Sequence, residues 1–143
     1  MSIFPEIPFG KTIDSENVMQ IMADKTTWED RYRQLILWGK QIPALPDEFR
    51  RDDVTVKGCE SVVWLVSEQH NDIWQFYADS DARIVKGLIA VVLAAVNGKT
   101  TEQVVAFDIN SYFEQLHLLQ HLSPSRGNGL KAIVDTIYEE IKK

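Results

Sequence analysis

The chain has 143 residues, of which 45% are hydrophobic, and this is enough to build one buried core. Disordered chains combine low hydrophobicity with high net charge, so this composition excludes a largely disordered protein. The formal net charge of -6 repels phosphate backbones, and we therefore expect no nucleic acid among the direct ligands.

A single cysteine, Cys59, cannot form an internal disulfide, which predicts a reducing compartment such as the cytoplasm. The first ten residues, MSIFPEIPFG, lack the basic segment and the apolar stretch of a secretion signal. The longest apolar run, GLIAVVLAAV at residues 87–96, is shorter than the roughly 20 residues of a membrane span. We expect a cytoplasmic protein that forms one domain over residues 1–143 and binds no membrane.

The N-terminal part of the chain is predicted to be an arm followed by two helices. Residues 1–13 contain two prolines and a glycine, which favour an extended arm. Ser15–Asn17 begins a short helix, and Thr26 or Thr27 caps a second helix that ends near Gly39. The segment PALPDEFRRDD that follows is a loop, because its prolines break regular structure and its charges favour water.

The middle of the chain has the residue pattern of a β-hairpin. We predict strands over residues 60–66 and 73–79, joined by a turn centred near Gln69-His70. Val54–Val56 is predicted to add a short strand before them. In this register Cys59 lies beside Ser80.

The second half of the chain is predicted to be helical. One of Asp79-Ser80 caps an apolar helix over residues 82–96, which we expect to be the central buried helix. Asn110 or Ser111 caps a further helix.

The last helix begins at Ser123-Pro124, a cap followed by proline at the first helical position. Its inward face is predicted to carry Leu130, Ile133, Val134, Ile137 and Ile141. Helices, then strands, then helices predict an α+β fold with a small antiparallel sheet of about three strands packed against helices.

The predicted place of Cys59 leaves its ionisation open. Backbone N–H groups at a helix N-terminus favour the thiolate, whereas Asp79 and Asp81 disfavour a second negative charge. Gly58 removes a side chain beside the sulfur and allows another backbone to approach. The alternative role for Cys59 is that of a small buried apolar residue.

Four segments of the chain, taken together, resemble the SufE/CsdE family of sulfur acceptors for cysteine desulfurases. They are WEDRYRQLILWGKQIPALPDE, GCESVVWL, ADSDARIVKGLIAVV and HLSPSRGNGL. The resemblance runs from Trp28 to the end, and the PFG arm and the PALPDEF loop favour the CsdE branch. It implies an α+β fold similar to the IscU-type scaffold. The chain departs from the family pattern at His117, where a small residue such as glycine is expected.

The resemblance implies that the protein takes a sulfane sulfur from the active-site persulfide of a pyridoxal-phosphate desulfurase and stimulates that enzyme. The sulfur then passes to a downstream acceptor protein, in iron–sulfur cluster assembly or another sulfur-requiring pathway. Through the motif GC-x-S-x-V-W, the cysteine that bears the persulfide in the family corresponds to Cys59. The family's SRxxG element corresponds to Ser125, Arg126 and Gly129. Neither a cofactor nor a metal on this chain is implied.

The remaining site residues are predicted from charge and position. Arg126 is expected to stabilise a thiolate or persulfide at Cys59, although pairing with a surface carboxylate is equally consistent with the sequence. Gly58 and Ser80 are expected to support the cysteine. The acidic residues Glu60, Asp79 and Asp81 are expected to contact a basic partner surface. The oligomeric state, a homodimer included, stays open.

Two other functions start from the same cysteine. A cysteine hydrolase would pair Cys59 with His121, and an IscU-like scaffold would hold metal. His117 and His121 share a helix face in the predicted structure and could join Cys59 at a zinc ion. One cysteine cannot supply the usual four thiolates of a cluster, and we expect these histidines and His70 to be exposed or capping residues instead.

Overall fold

The computed structural model describes residue 4 and residues 6–142. This part of the chain contains seven α-helices and two β-strands, which confirms the predicted α+β class. In chain order they are α1 (Ser15–Ala23), α2 (Trp28–Gly39), β1 (Val63–His70), β2 (Ile73–Ser80), α3 (Arg83–Val96), α4 (Thr101–Ala106), α5 (Ile109–Gln115), α6 (Leu118–His121) and α7 (Pro124–Ile141). Residues 1–3 and 5 of the predicted arm lie outside the described residues.

The two strands form an antiparallel hairpin in which Val63 pairs with Ser80. Asn71 and Asp72 connect the strands with φ angles of 52° and 69°, the left-handed conformation that a two-residue hairpin turn requires. The predicted turn at Gln69-His70 is therefore wrong, and so is the predicted pairing of Cys59 with Ser80. Because the strands continue as far as Asn71-Asp72, Cys59 lies before β1 and outside the paired residues.

The predicted strand at Val54–Val56 is only a point of contact with the sheet. The Val56 N–H donates to the Val63 carbonyl at 2.9 Å. Just before it, the chain forms a single 3-10 turn, and the Thr55 hydroxyl donates to the Asp52 carbonyl at 2.7 Å. Since these local hydrogen bonds curl the chain, the sheet has two strands within the described residues, where about three were predicted.

The central helix, α3, is buried as its composition predicts. All residues from Gly87 to Val96 are buried. Helix α2 crosses α3 so closely that a Cβ atom on Gly87 would collide with the backbone carbonyl of Leu35. The glycine therefore allows the two helix backbones to meet.

Two helix caps differ from the predicted ones. Helix α3 begins after Ala82, which has no side-chain cap, because β2 continues through Asp79-Ser80. Helix α5 is capped by Asp108, whose carboxylate accepts the Ser111 N–H at 3.0 Å, and so begins before the predicted cap at Asn110 or Ser111. In both cases the predicted cap is a polar residue close to the observed start of the helix, and the local sequence does not distinguish the two positions.

Asn97 fixes the end of α3 against the outer edge of β2. Its Oδ1 accepts the Phe76 N–H at 2.7 Å, and its Nδ2 donates to the Phe76 carbonyl at 3.1 Å. Further along, the Trp74 N–H donates to the Lys99 carbonyl at 2.8 Å. These bonds satisfy the backbone groups at this edge of the hairpin and hold the hairpin on the helical layer.

Helix α7 completes the layer on which the cysteine loop rests. Its buried residues are the five that its periodicity predicts: Leu130, Ile133, Val134, Ile137 and Ile141. In the part of the chain that the structure describes, no helix combines the length and the apolar character that crossing a bilayer demands.

Candidate functional site

Cys59 lies in the loop of residues 55–62 that leads into β1, and its side chain rests on α7. The preceding Gly58 has a φ of 92°, a left-handed conformation that residues with a Cβ atom rarely adopt. The thiol of Cys59 donates a weak hydrogen bond to the Gly129 carbonyl, with 3.6 Å between sulfur and oxygen. The sulfur therefore contacts a backbone carbonyl of α7, not the N–H groups of α3 that sequence reasoning placed beside it.

The ionisation of Cys59 is governed by its burial. The side chain is partly buried, and desolvation raises the pKa of the thiol above its ordinary value. A carbonyl oxygen that faces the sulfur also favours the protonated form. The balance that the sequence left open is thus decided against the thiolate, and the resting sulfur is a protonated thiol at neutral pH.

A cavity of about 340 Å³ opens beside the sulfur of Cys59. One part of its lining is apolar and comes from β1, α3 and α7, and the other part is polar. The apolar residues are Val63, Val85, Leu88, Leu130 and Ile133, and the remaining lining residues are Glu60, Ser61, Ser123, Ser125, Arg126 and Gly129. The cavity has room for much more than one sulfur atom, since a water molecule takes about 30 Å³ in the liquid.

The polar part of the cavity is built by the start of α7. The Ser123 hydroxyl caps this helix by accepting the Arg126 N–H at 3.3 Å, and Pro124 occupies the first helical position. The Arg126 side chain is exposed and makes no salt bridge or hydrogen bond with another described residue. Its positive charge is therefore available to an anion in the cavity.

A family model described as "SufE: Fe-S metabolism associated domain" matches residues 16–141, which is most of the chain. The chain belongs to the SufE family. This confirms the resemblance drawn from the four sequence segments.

Relatives of this SufE-family chain are similar over nearly their whole length. The sulfur acceptor protein CsdE of Escherichia coli (strain K12) is 44% identical over 137 residues, which cover 95% of this chain and 93% of the relative. An uncharacterized SufE-like protein of Rhizobium etli is 41% identical over 143 residues, which cover 95% of this chain and 97% of that relative. The solution structure of a hypothetical protein from Thermus thermophilus is similar in fold, with a TM-score of 0.73 at 15% identity over 90% of this chain and 93% of that one.

Ser80 does not support the cysteine in this SufE-family chain. Its hydroxyl donates to the Val62 carbonyl at 2.7 Å and accepts the Ala82 N–H at 3.2 Å. The residue is buried and is absent from the cavity lining. It joins the end of β2 to the start of α3, and the prediction that it lies beside Cys59 is wrong because it rested on the wrong strand register.

Asp79 is not available to a partner, because only 1% of the residue is exposed. Its Oδ2 accepts hydrogen bonds from the Leu45 N–H and from Arg50 Nη2, both at 3.0 Å. Its Oδ1 lies 3.3 Å from the Lys86 ammonium. The carboxylate connects the loop after α2 to β2 and α3, and this burial contradicts the predicted surface role.

The other two acidic residues of the predicted partner surface are exposed. Glu60 lines the cavity next to Cys59, and Asp81 lies between β2 and α3. Their side chains can reach a partner without any change in the fold.

None of the three described histidines is among the residues that line the cavity beside Cys59. His70 is at the end of the hairpin, and the ring of His121 stacks on Trp28 with 4.7 Å between ring centroids. His117 lies between α5 and α6 with a φ of 57°, so His117 and His121 do not share a helix face as predicted. The left-handed φ explains why a glycine would suit the position of His117.

Neither alternative function finds its residues assembled. None of the three histidines, all of which the structure describes, lines the cavity, so no imidazole is in place to act as a base on Cys59. Within residues 4 and 6–142, no group of three or more histidine, cysteine, aspartate or glutamate side chains is arranged to hold a metal ion.

Sequence reasoning did not identify the residues that enclose the sulfur. Val85, Leu88, Leu130 and Ile133 have only the pattern of core residues, and nothing local distinguishes cavity walls from other core positions. The two glycines near the start of α7 were a weak signal, because only Gly129 has the sulfur of Cys59 beside it, 3.6 Å from the position that a Cβ atom would take.

Proposed function

We propose that this chain is a sulfur acceptor that receives a sulfane sulfur on Cys59 from the persulfide of a pyridoxal-phosphate cysteine desulfurase. The observation that carries the proposal is a lone thiol beside a partly apolar cavity, with an unpaired Arg126 in the polar lining. The SufE membership and the E. coli relative, a sulfur acceptor by name, support it.

The family description, with its reference to Fe-S metabolism, supports iron–sulfur cluster assembly as the destination of the sulfur. We propose that a downstream acceptor protein in the cytoplasm takes the sulfur from Cys59. Accepting the sulfur also regenerates the free cysteine of the desulfurase, which is the reason we expect stimulation of that enzyme.

The transfer is a thiolate attack on sulfur, the same step as thiol–disulfide exchange. The Cys59 thiolate attacks the outer sulfur of the donor persulfide, and a new S–S bond forms. The S–S bond of the donor breaks, and its cysteine leaves as a thiolate that takes up the proton that Cys59 lost. Atoms, charge and electrons balance without an outside oxidant or reductant.

The residues around Cys59 have separate parts in this step. Arg126 stabilises negative charge on Cys59 during the transfer, which offsets the burial that keeps the resting thiol protonated. Gly58 permits the backbone turn that directs the side chain toward α7. Glu60 and Asp81 contact the desulfurase.

Intact-mass measurement tests the proposal directly. The chain is mixed with a catalytic amount of cysteine desulfurase and with cysteine, and its mass is measured without reductant. A gain of about 32 Da, one sulfur per chain, is expected. No gain under conditions in which the desulfurase turns over would contradict the proposal.

We expect Arg126→Ala to slow sulfur acceptance by about three- to tenfold, because an exposed cation in the lining of the cavity beside Cys59 is lost. Arg126→Lys should restore part of the rate, since it keeps the charge but not the planar guanidinium. The measurement is the initial rate of mass gain with the desulfurase. Lys131→Ala removes an exposed charge from the same helix and is the matched control. If the two alanine variants lose rate equally, Arg126 has no specific part.

We expect alkylation of free Cys59 to be slow at neutral pH and to rise about tenfold per pH unit until the raised pKa is passed. The sign follows from burial, which disfavours the thiolate, the only form that reacts. The measurement is the rate of iodoacetamide reaction over roughly pH 6 to pH 11, which spans the titration of ordinary thiols. The urea-unfolded chain is the reference, and a native midpoint at or below the unfolded one would be the contrary result.

A further inference from the structure

Helix α7 contains two glycines in its first turns, Gly127 and Gly129, at positions where a helix favours residues with a side chain. Their surroundings differ. A Cβ atom added to Gly127 would have Leu119 Cδ2 as its nearest neighbour, at 4.0 Å. Apart from its chain neighbours and the backbone of its own helix, a Cβ atom added to Gly129 would have only the sulfur of Cys59 within 4 Å among the described residues, at 3.6 Å.

The resting protein does not explain the glycine at position 129. A separation of 3.6 Å between a Cβ atom and Cys59 Sγ is ordinary van der Waals contact, so alanine would fit beside the free thiol. The backbone at Gly129 is regular helix, and no left-handed φ demands a glycine there. Alanine would also stabilise the helix. A requirement for glycine at this position would therefore arise only in another state of the sulfur.

In the persulfide state, a second sulfur is bonded to Cys59 Sγ at about 2.05 Å and needs a free direction around that atom. The Gly129 carbonyl occupies one direction at 3.6 Å. A methyl group on residue 129 would occupy the adjacent space, which is otherwise open to the cavity. Gly129 lines the same cavity as the apolar residues Leu130 and Ile133.

We infer that Gly129 is a positioning residue for the persulfide: its missing side chain leaves the space in which the outer sulfur lies between the cysteine loop and α7. The inference rests on the proposed function, since it concerns the same sulfur. It predicts that the outer sulfur is shielded from dissolved thiols only as long as residue 129 has no side chain. A side chain at this position directs the outer sulfur away from α7 and toward solvent.

The test compares Gly129→Ala with Gly127→Ala, which makes the same change in the same helix but away from the sulfur. Cys59 is loaded chemically with inorganic polysulfide: the thiolate attacks a polysulfide sulfur, and a polysulfide shorter by one sulfur leaves. After the donor is removed, dithiothreitol is added, and the loss of one sulfur is followed by intact mass.

We expect the Gly129→Ala persulfide to be reduced at least about threefold faster than the wild-type one, and the Gly127→Ala persulfide to match wild type. Gly129→Ser, which adds a side chain at the same place, should behave like Gly129→Ala. The melting temperatures of both alanine variants should equal or exceed that of wild type, which separates the effect from unfolding. Equal persulfide lifetimes in all of these proteins would overturn the inference.

Chemical loading keeps this test independent of the desulfurase. If the enzyme transfers no sulfur while the lifetimes still differ as expected, the proposed function fails and the role of Gly129 stands. If the enzyme loads all variants and the lifetimes are equal, the role of Gly129 fails and the proposed function stands.

Discussion

We expect the Cys59→Ser protein to gain no sulfur from a cysteine desulfurase, a loss of at least about 100-fold in the rate of acceptance. A serine hydroxyl ionises far less readily than a thiol and forms no persulfide. Serine is close to cysteine in size and keeps a donor for the Gly129 carbonyl, which the thiol contacts at 3.6 Å, so the fold is retained. The measurements are the mass gain of about 32 Da and the stimulation of desulfurase turnover.

The control for this variant is its melting temperature, which should stay close to that of wild type because Cys59 is only partly buried. The single cysteine makes the mass measurement unambiguous, since no second thiol can take the sulfur. A folded Cys59→Ser protein that still stimulates the desulfurase fully would leave the acceptor function without its central residue.

We expect Asp79→Ala to be the most destabilising change at the positions that sequence reasoning assigned to a partner surface. The variant removes the acceptor for the Leu45 N–H and leaves the positive charges of Arg50 and Lys86 without their partner. These two side chains are 34% and 24% exposed, so water screens part of the loss. The expected decrease in the free energy of unfolding is about 2–4 kcal/mol, or roughly 5–15 °C in melting temperature.

Asp81→Ala is the matched control, because it removes the same carboxylate two positions further along the chain, where the side chain is exposed. Its effect on stability should stay within about 0.5 kcal/mol, as is usual for surface substitutions. Urea unfolding of both variants is the measurement. Equal stabilities would show that the contacts of Asp79 with the Leu45 N–H, Arg50 and Lys86 contribute nothing net to folding.

Local patterns were sufficient for the buried faces of the long helices and for the choice of Cys59 as the candidate residue. The period of apolar residues in α7 predicted its buried face, and Thr27 accepts the Asp30 N–H at 3.1 Å as a helix cap should. The lone cysteine after Gly58 was recognisable as the candidate without any structure. These features depend on residues that are close in sequence. Over such short distances, backbone stereochemistry and the polar or apolar character of the side chains determine the local structure.

The hairpin register shows where local patterns fail. A strand alternates with a period of two residues, and this alternation does not say where the turn lies. The left-handed conformations of Asn71 and Asp72 decided it, and the predicted turn at Gln69-His70 carried the error on to Cys59 and Ser80. Asparagine and aspartate are the residues that tolerate this conformation, so this signal was present in the sequence.

The sequence by itself thus determined the fold class and the family and singled out Cys59 as the candidate sulfur, because each depends on short segments or on a single residue type. Only the tertiary structure decided that Asp79 is buried among cations and that Cys59 rests on Gly129, 70 residues further along the chain. Contacts of that kind depend on how α3 and α7 pack around the hairpin. Burial and distance across the chain are properties of the packed molecule, and they set both the protonation of the thiol and the space around it.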